Sequence, residues 1–143
     1  MAFVHDPFSM DGPGESLLMD WGTLSANEKV REYIVRTRPK DRVLHTFTYP
    51  VKRGVWYYIG AHAWNMKDLF QVWPTLGDKA KEVVTAKLRR RCNRRHSQQD
   101  IAEMIQDGRL QQFCIEVNSR SLETLSQEFA KNRLGFEGGN LAK

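Results

Sequence analysis

The sequence predicts an α+β domain with a small antiparallel sheet of about three strands, covered on one face by about four to five helices. Three observations support this class. The first half contains a hairpin-like pair of β-branched and aromatic segments, the second half contains one alternating strand, and several segments between them have helical periodicity and capping residues. A chain of 143 residues without internal repeats indicates a single core.

The first two predicted elements are a helix and a hairpin. Ser25 is followed three residues later by Glu28, which is the pattern of a capping box, and the helix should end before Pro39. Residues 42–49 and 55–64 then carry β-branched and aromatic residues on both sides of a turn that contains Pro and Gly. This arrangement predicts two antiparallel strands.

The central part of the chain predicts helices. Asn65 is placed to cap a short helix, and a longer one is expected to start at Thr75 or Asp78 with apolar residues at four-residue steps. Ser97 and Asp100 repeat the capping-box spacing and predict a further helix.

The last part predicts a third strand and a final helix. Apolar residues alternate over 113–117, as in a half-buried strand. The final helix should begin near Ser119 or Ser121 and end at Gly135, since Gly commonly follows the last helical turn. Residues 136–143 are predicted to form a loose tail, so the folded domain is expected to span residues 24–135.

Residues 1–23 have no regular periodicity and a different charge from the remainder. The first 27 residues contain four acidic residues and no Lys or Arg, which gives them a net charge of −4. Because the whole chain has a net charge of +5, the remaining residues carry +9. We therefore interpret residues 1–23 as an acidic arm, flexible or docked on a partner. The strongly basic remainder is expected to attract polyanions.

The strongest functional feature is the basic run at residues 87–96. If one helix continues through this run, Leu88 and Cys92 point inward and the cations form stripes on the outer flank. Arginine binds phosphate bidentately, so we predict contacts to nucleic acid. The predicted contact residues are Lys79, Lys81, Lys87, Arg89, Arg90, Arg91, Arg94 and Arg95, with Lys52 and Arg53 from the hairpin turn. The alternatives are a solvated basic face, an acidic protein partner, or arginines neutralised by carboxylates elsewhere in the fold.

Aromatic residues give two weaker hypotheses. Trp56 and Tyr58 on the hairpin could stack unpaired bases, as in several RNA-binding modules, although large aromatic residues also fill cores. Trp21 and Gly22 form a possible peptide motif for a partner's aromatic-binding pocket. The alternative for Trp21 is that it anchors the arm against the first helix.

No enzymatic or metal-binding signature is found in the sequence, and a nuclease built from dispersed acids such as Asp41, Asp68 and Glu116 is the remaining enzymatic alternative. The register expected for the hairpin places His45 opposite Ile59, so no histidine pair is predicted. Cys92 and His96 have a spacing compatible with a metal, but a tetrahedral zinc site needs further ligands. We predict a non-enzymatic protein without metal or cofactor.

These observations predict a nucleic-acid-binding protein, with RNA favoured, in the cytoplasm or nucleus. The acidic N-terminal residues do not resemble a secretion signal, and no apolar segment is long enough to span a membrane. The competing hypothesis is an assembly subunit, such as a virion or large-complex component, in which residues 1–23 and the basic face dock onto other chains or a second copy. Small basic α+β proteins with a charged arm occur among viral proteins, which is an analogy of class only.

Overall fold

A computed structural model describes residues 1–6, 8–12, 15–38, 41–50 and 53–135. It contains six strands, which are β1 (Ala2–His5), β2 (Phe8–Gly12), β3 (Glu15–Gly22), β4 (Val43–Tyr49), β5 (Tyr57–Met66) and β6 (Gln111–Asn118). Its four α-helices are α1 (Leu24–Arg36), α2 (Asp78–Arg91), α3 (Gln98–Gln106) and α4 (Glu123–Leu134). A short 3₁₀ turn, Trp73–Thr75, precedes α2.

All six strands belong to one mixed sheet in the order β1-β4-β5-β6-β3-β2, in which β1 is parallel to β4 and the other pairs are antiparallel. The α+β class agrees with the prediction, but the prediction of about three strands is wrong. The additional strands come from residues 2–22, within the segment interpreted as an acidic arm. Pro and Gly divide β1 and β2 into short segments, and β3 lacks a period of two because Leu17, Leu18 and Met19 are consecutive apolar residues.

The sheet must curl, because its two edge strands are nearly consecutive in the chain. β1 and β2 lie at opposite ends of the strand order, yet only residues 6 and 7 separate them. The three residue steps from the end of β1 to the start of β2 reach about 11 Å at most. The edges of a flat six-stranded sheet would lie about 24 Å apart. The sheet therefore bends until β1 and β2 approach each other.

Contacts around Asp6 agree with this curvature. The backbone N–H of Asp6 donates to the carbonyl of Tyr49 in β4, at 2.9 Å. The Asp6 carbonyl accepts a hydrogen bond from Arg91 at 2.6 Å, and Arg91 also pairs with Asp20 in β3. Asp6 and Arg91 thus link β4 to β3, which are separated by two strands in the sheet order.

Helices cover both faces of the sheet, so the expected single covered face is also wrong. Consecutive residues of β3, Leu18 and Met19, point to opposite faces and enter different apolar clusters. On one face, α2 and α3 form the larger cluster of Met19, Trp21, Val72, Trp73, Val84, Leu88, Ile101 and Ile105. On the other face, Ile34 of α1 packs with Ile115 and Val117 of β6. The β6 strand is therefore covered on both sides.

Three predicted helix starts differ from the structure. The cap of α1 is Thr23, whose hydroxyl accepts from the Ala26 N–H at 3.3 Å, and not Ser25. Asn65 caps no helix, because pairing with β6 extends β5 to Met66. The final helix starts at Glu123, after a residue with positive φ at Ser121. The capping box of Ser97 and Asp100 at α3 and the end of α4 at Gly135 are confirmed.

The predicted hairpin is confirmed as β4 and β5, but its predicted register is wrong. His45 pairs with Ala61, two residues beyond the predicted Ile59. On the turn side Phe47 already pairs with Tyr58, one residue further along β5 than predicted, and Ile59 adds a second residue as a bulge opposite the step from Thr46 to Phe47. The neighbouring Gly60 has φ +117°, and a Cβ there would lie 3.2 Å from Ser126 Oγ of α4. Ser126 accepts a hydrogen bond from the Ala61 N–H at 2.8 Å. The bulge therefore gives α4 close access to β5.

Candidate functional site

The basic run does not form one continuous helix. Helix α2 ends at Arg91 and is capped by Cys92, and the next residues, Asn93 and Arg94, have φ of +54° and +59°. Two consecutive left-handed residues cannot continue an α-helix. The predicted outer stripes through Arg95 are therefore wrong. A new helix, α3, begins after this break, with the capping box of Ser97 and Asp100 at its start.

Three cations of α2 face the N-terminal strands. Lys87 Nζ and Arg90 Nη2 each lie 3.4 Å from the Asp6 carboxylate, and Arg91 pairs with Asp20. Arg91 also donates to the carbonyls of His5 and Asp6 at 3.1 and 2.6 Å. We call this set, formed by Asp6, Asp20, Lys87, Arg90 and Arg91, the acidic clasp.

The acidic clasp binds α2 to the corner between β1 and β2. The aromatic ring of Phe8 lies beneath it, 4.5 Å from Lys87 Nζ and 5.7 Å from the centre of the Arg91 guanidinium. Lys87 and Arg91 are half-buried, whereas Arg90 keeps about half of its side chain in solvent. The acidic clasp thus neutralises cations for which the sequence predicted contacts to an external polyanion. This agrees with the alternative that carboxylates elsewhere in the fold neutralise these arginines.

A second group of cations remains open to solvent. Arg89, Arg94 and Arg95 are exposed, and no acidic side chain in the described part of the chain pairs with them. We call these three residues the arginine turn. Arg94 and Arg95 follow the end of α2, and the next helix begins with the uncharged Gln98 and Gln99.

The other predicted phosphate contacts are dispersed. Lys79 is exposed on the first turns of α2, while Lys81 is half-buried with its Nζ 5.3 Å from the centre of the Trp73 ring. Arg53 is exposed at the hairpin turn, 6.0 Å from the ring of Tyr57. Lys52 lies outside the described residues.

Aromatic side chains form two rows that run from the start of β5, or the residue just before it, across β4 to β1. In the first row, Tyr58 lies 5.2 Å from Phe47, which stacks at 5.1 Å on Phe3, measured between ring centroids. In the second, Trp56 lies 5.3 Å from Tyr49, which stacks at 5.1 Å on His5. The last ring of each row belongs to β1 and is exposed. We call these six residues the aromatic rows.

The two predicted stacking residues differ in exposure. Trp56 is 47% exposed, whereas Tyr58 is half-buried against Phe129 of α4, and its hydroxyl lies 2.9 Å from His45 Nδ1. The sequence predicted no stacking role for Phe3 and His5, because both lie in a segment without regular periodicity. The only available signal was the alternation of large and small residues over 2–5.

Trp21 and Gly22 are structural in this fold. Trp21 is buried with Met19 and with residues of α2 and α3, and Phe8 meets its ring edge-on at 5.6 Å. A Cβ at Gly22 would collide with Asn27 of α1. Trp21 therefore anchors β3 in the core, against α2 and α3 instead of the first helix.

The two cysteines occupy different environments. Cys114 is buried in β6, and burial raises the pKa of its thiol. Cys92 is half-buried at the end of α2, with its Sγ 3.2 Å from the Arg89 carbonyl. Within the described residues, no group of three or more His, Cys, Asp or Glu side chains is arranged to hold a metal ion.

Burial lowers the pKa of two histidines. His45 stacks on Phe129 at 3.8 Å, and the positive N-terminus lowers its pKa further. Burial also lowers the pKa of His62, partly offset by a hydrogen bond to the Gly60 carbonyl. Both side chains therefore favour the neutral form in the folded protein.

Acidification should therefore destabilise the fold before carboxylates titrate. As pH falls below about 6.5, unfolded histidines bind protons that the folded state resists, so the free energy of unfolding decreases. We expect a lower urea midpoint at pH 5.5 than at pH 7.5, and a smaller difference in the double variant H45Q/H62Q. Equal urea midpoints at the two pH values would contradict the lowered pKa of His45 and His62 in the folded protein.

Among the described residues, none of the helices is long and apolar enough to cross a membrane. Comparisons with protein-family models, curated proteins and solved structures find no match to this chain.

Proposed function

We propose that this protein binds nucleic acid, with RNA as the expected ligand, through the arginine turn at the end of α2, and that it is not an enzyme. The observation that carries the proposal is the exposure of Arg89, Arg94 and Arg95 without acidic partners in the described part of the chain. Three guanidinium groups that lack an acidic partner among the described residues lie on this short segment, repel one another and suit a ligand with closely spaced phosphates.

The dipole of α2 stabilises only part of the arginine turn. Cations in the last turn of a helix are stabilised by its dipole, by about 0.3–1 kcal/mol each at an exposed site. Arg89 lies in that turn, but Arg94 and Arg95 follow the helix and gain little from it. Arg90 adds a half-exposed guanidinium beside them, held by Asp6 at 3.4 Å.

The contacts of residues 2–22 support this proposal over the alternative of a docking arm. Strands β2 and β3 pair with the sheet of their own chain, and Trp21 is buried there. An assembly role would then have to use the outer surface of the folded domain, and not a free N-terminal segment.

A triple variant tests the arginine turn. Replacing Arg89, Arg94 and Arg95 by Gln should weaken binding to a 20-nucleotide RNA by about tenfold to hundredfold near 0.1 M salt, because three phosphate contacts are lost. The plot of log affinity against log salt should flatten by roughly two units. Filter binding at several salt concentrations measures both quantities.

The matched control removes the same charge elsewhere. Lys29, Arg31 and Arg38 are exposed on or just after α1, which packs on the opposite face of the sheet. Their triple Gln variant should bind within about threefold of wild type if the contact is local. Equal losses in the two triple variants would indicate attraction by net charge alone and refute the proposed surface. Circular dichroism verifies that both variants fold.

A further inference from the structure

The aromatic rows end at β1 in rings that nothing in the described structure covers on their outer side. Phe3 is 61% exposed although it stacks on Phe47 with an interplanar angle of 18°. His5 is likewise exposed and lies at 16° to Tyr49. Each row is therefore a stack that one more planar group can extend.

The aromatic rows adjoin the basic end of α2. The carbonyl of His5 accepts a hydrogen bond from Arg91 at 3.1 Å, and the next residue, Asp6, holds the half-exposed Arg90 at 3.4 Å. Trp56 completes the open surface, with its ring edge-on to Phe3 at 5.4 Å. The strand that carries Phe3 and His5 thus ends where Arg90 and Arg91 of α2 contact it.

We propose that the nucleic acid bound here is single-stranded, with unpaired bases stacking on Phe3, His5 and Trp56 while its phosphates contact Arg90 and the arginine turn. This inference rests on the proposed function and names its substrate class. An unpaired base presents a planar face for stacking, and base stacking on aromatic side chains is the usual device of single-strand binding.

A duplex fits this surface less well. Its bases are stacked on one another, so a continuous duplex offers phosphates and groove edges but no base face along its length. It would use the arginine turn and leave the rings of Phe3 and Trp56 in water. An apolar protein partner would use the rings but gain nothing from the adjacent guanidinium groups.

Tryptophan fluorescence follows this contact directly. Trp56 is 47% exposed, whereas Trp21 and Trp73 are buried and Trp64 is half-buried, so a stacking base should quench mainly Trp56. We expect a 20-nucleotide single-stranded RNA to quench the full-length protein more strongly, and to bind at least fivefold tighter, than a duplex of the same sequence. In W56F the quenching should be largely lost while binding persists. This measurement on the wild-type protein does not depend on any variant folding.

Variants of Phe3 test the ring itself. F3L should weaken single-strand binding by about fivefold or more, and F3Y, which keeps a ring, should bind within about twofold of wild type. Phe70 provides a matched control, because it is 64% exposed and takes no part in the aromatic rows. F70L should therefore bind like the wild-type protein.

The outcomes separate the two proposals. Single-strand preference with a selective loss in F3L supports both. Duplex binding equal to or tighter than single-strand binding, or equal effects of F3L and F70L, overturns single-strand recognition while leaving the arginine turn as a phosphate-binding surface. Binding of neither ligand at low salt refutes the proposed function and this inference together.

Discussion

Removing residues 1–22 should abolish the cooperative unfolding transition of this chain. The deletion removes three of the six strands, including β3, which pairs with β6 along its whole length. It also removes Met19 and Trp21 from the larger apolar cluster, and loss of a single large core side chain already costs about 2–5 kcal/mol. Typical domains are stable by only about 5–15 kcal/mol, so the truncated chain should not fold.

Urea titration followed by circular dichroism checks this expectation. Removing residues 136–143, which the sequence predicts to be a loose tail, provides the control and should leave the midpoint nearly unchanged. A truncated protein that unfolds cooperatively near the wild-type midpoint would contradict the pairing of β3 with β6 and support the interpretation of residues 1–23 as a flexible arm.

Replacing Arg91 by Met should lower the free energy of unfolding by about 2–3 kcal/mol, because breaking a largely buried ion pair leaves a carboxylate uncompensated. Arg91 and Asp20 are only 22% and 26% exposed, so solvent screens their interaction incompletely. Met retains the apolar contact with Phe8 but removes the donors to His5, Asp6 and Asp20. The urea midpoint should fall by about 1–2 M.

The control for this variant is R94M. Arg94 is an exposed residue outside the acidic clasp, so its replacement should change stability by less than about 0.5 kcal/mol. A double-mutant cycle of R91M with D20N isolates the ion pair, and we expect a coupling of at least about 1 kcal/mol. Strictly additive effects would show that Asp20 and Arg91 do not stabilise each other.

The two arginine experiments also separate folding from binding. Arg91 belongs to the acidic clasp, whereas Arg89, Arg94 and Arg95 form the open arginine turn. A variant that neutralised all basic residues of the run together would combine both effects. Their roles are distinguishable because Arg91 pairs with Asp20, whereas no acidic side chain among the described residues pairs with Arg89, Arg94 or Arg95.

Local signals in the sequence determined several elements of this protein. The capping box of Ser97 and Asp100, the hairpin of β4 and β5, and the end of the last helix at Gly135 all depend on neighbouring residues, and all are present in the structure. The concentration of arginines after α2 and the contrast between an acidic N-terminal segment and a basic remainder are also evident from composition. Short-range hydrogen bonds and backbone preferences are sufficient for such features.

Tertiary structure alone decided what residues 1–22 do and which arginines remain open. Strands β1 and β2 are stabilised by backbone pairing with β4 and β3, which local propensity does not specify. The curvature of the sheet brings Asp6 and Asp20 to α2, so that Lys87 and Arg91 are neutralised within the fold. Pairing of β1 with β4 places Phe3 and His5 at the ends of the aromatic rows. Except for the pairing of β2 with β3, these contacts join residues more than 40 positions apart. Their energies depend on a sheet that exists only once the chain has folded.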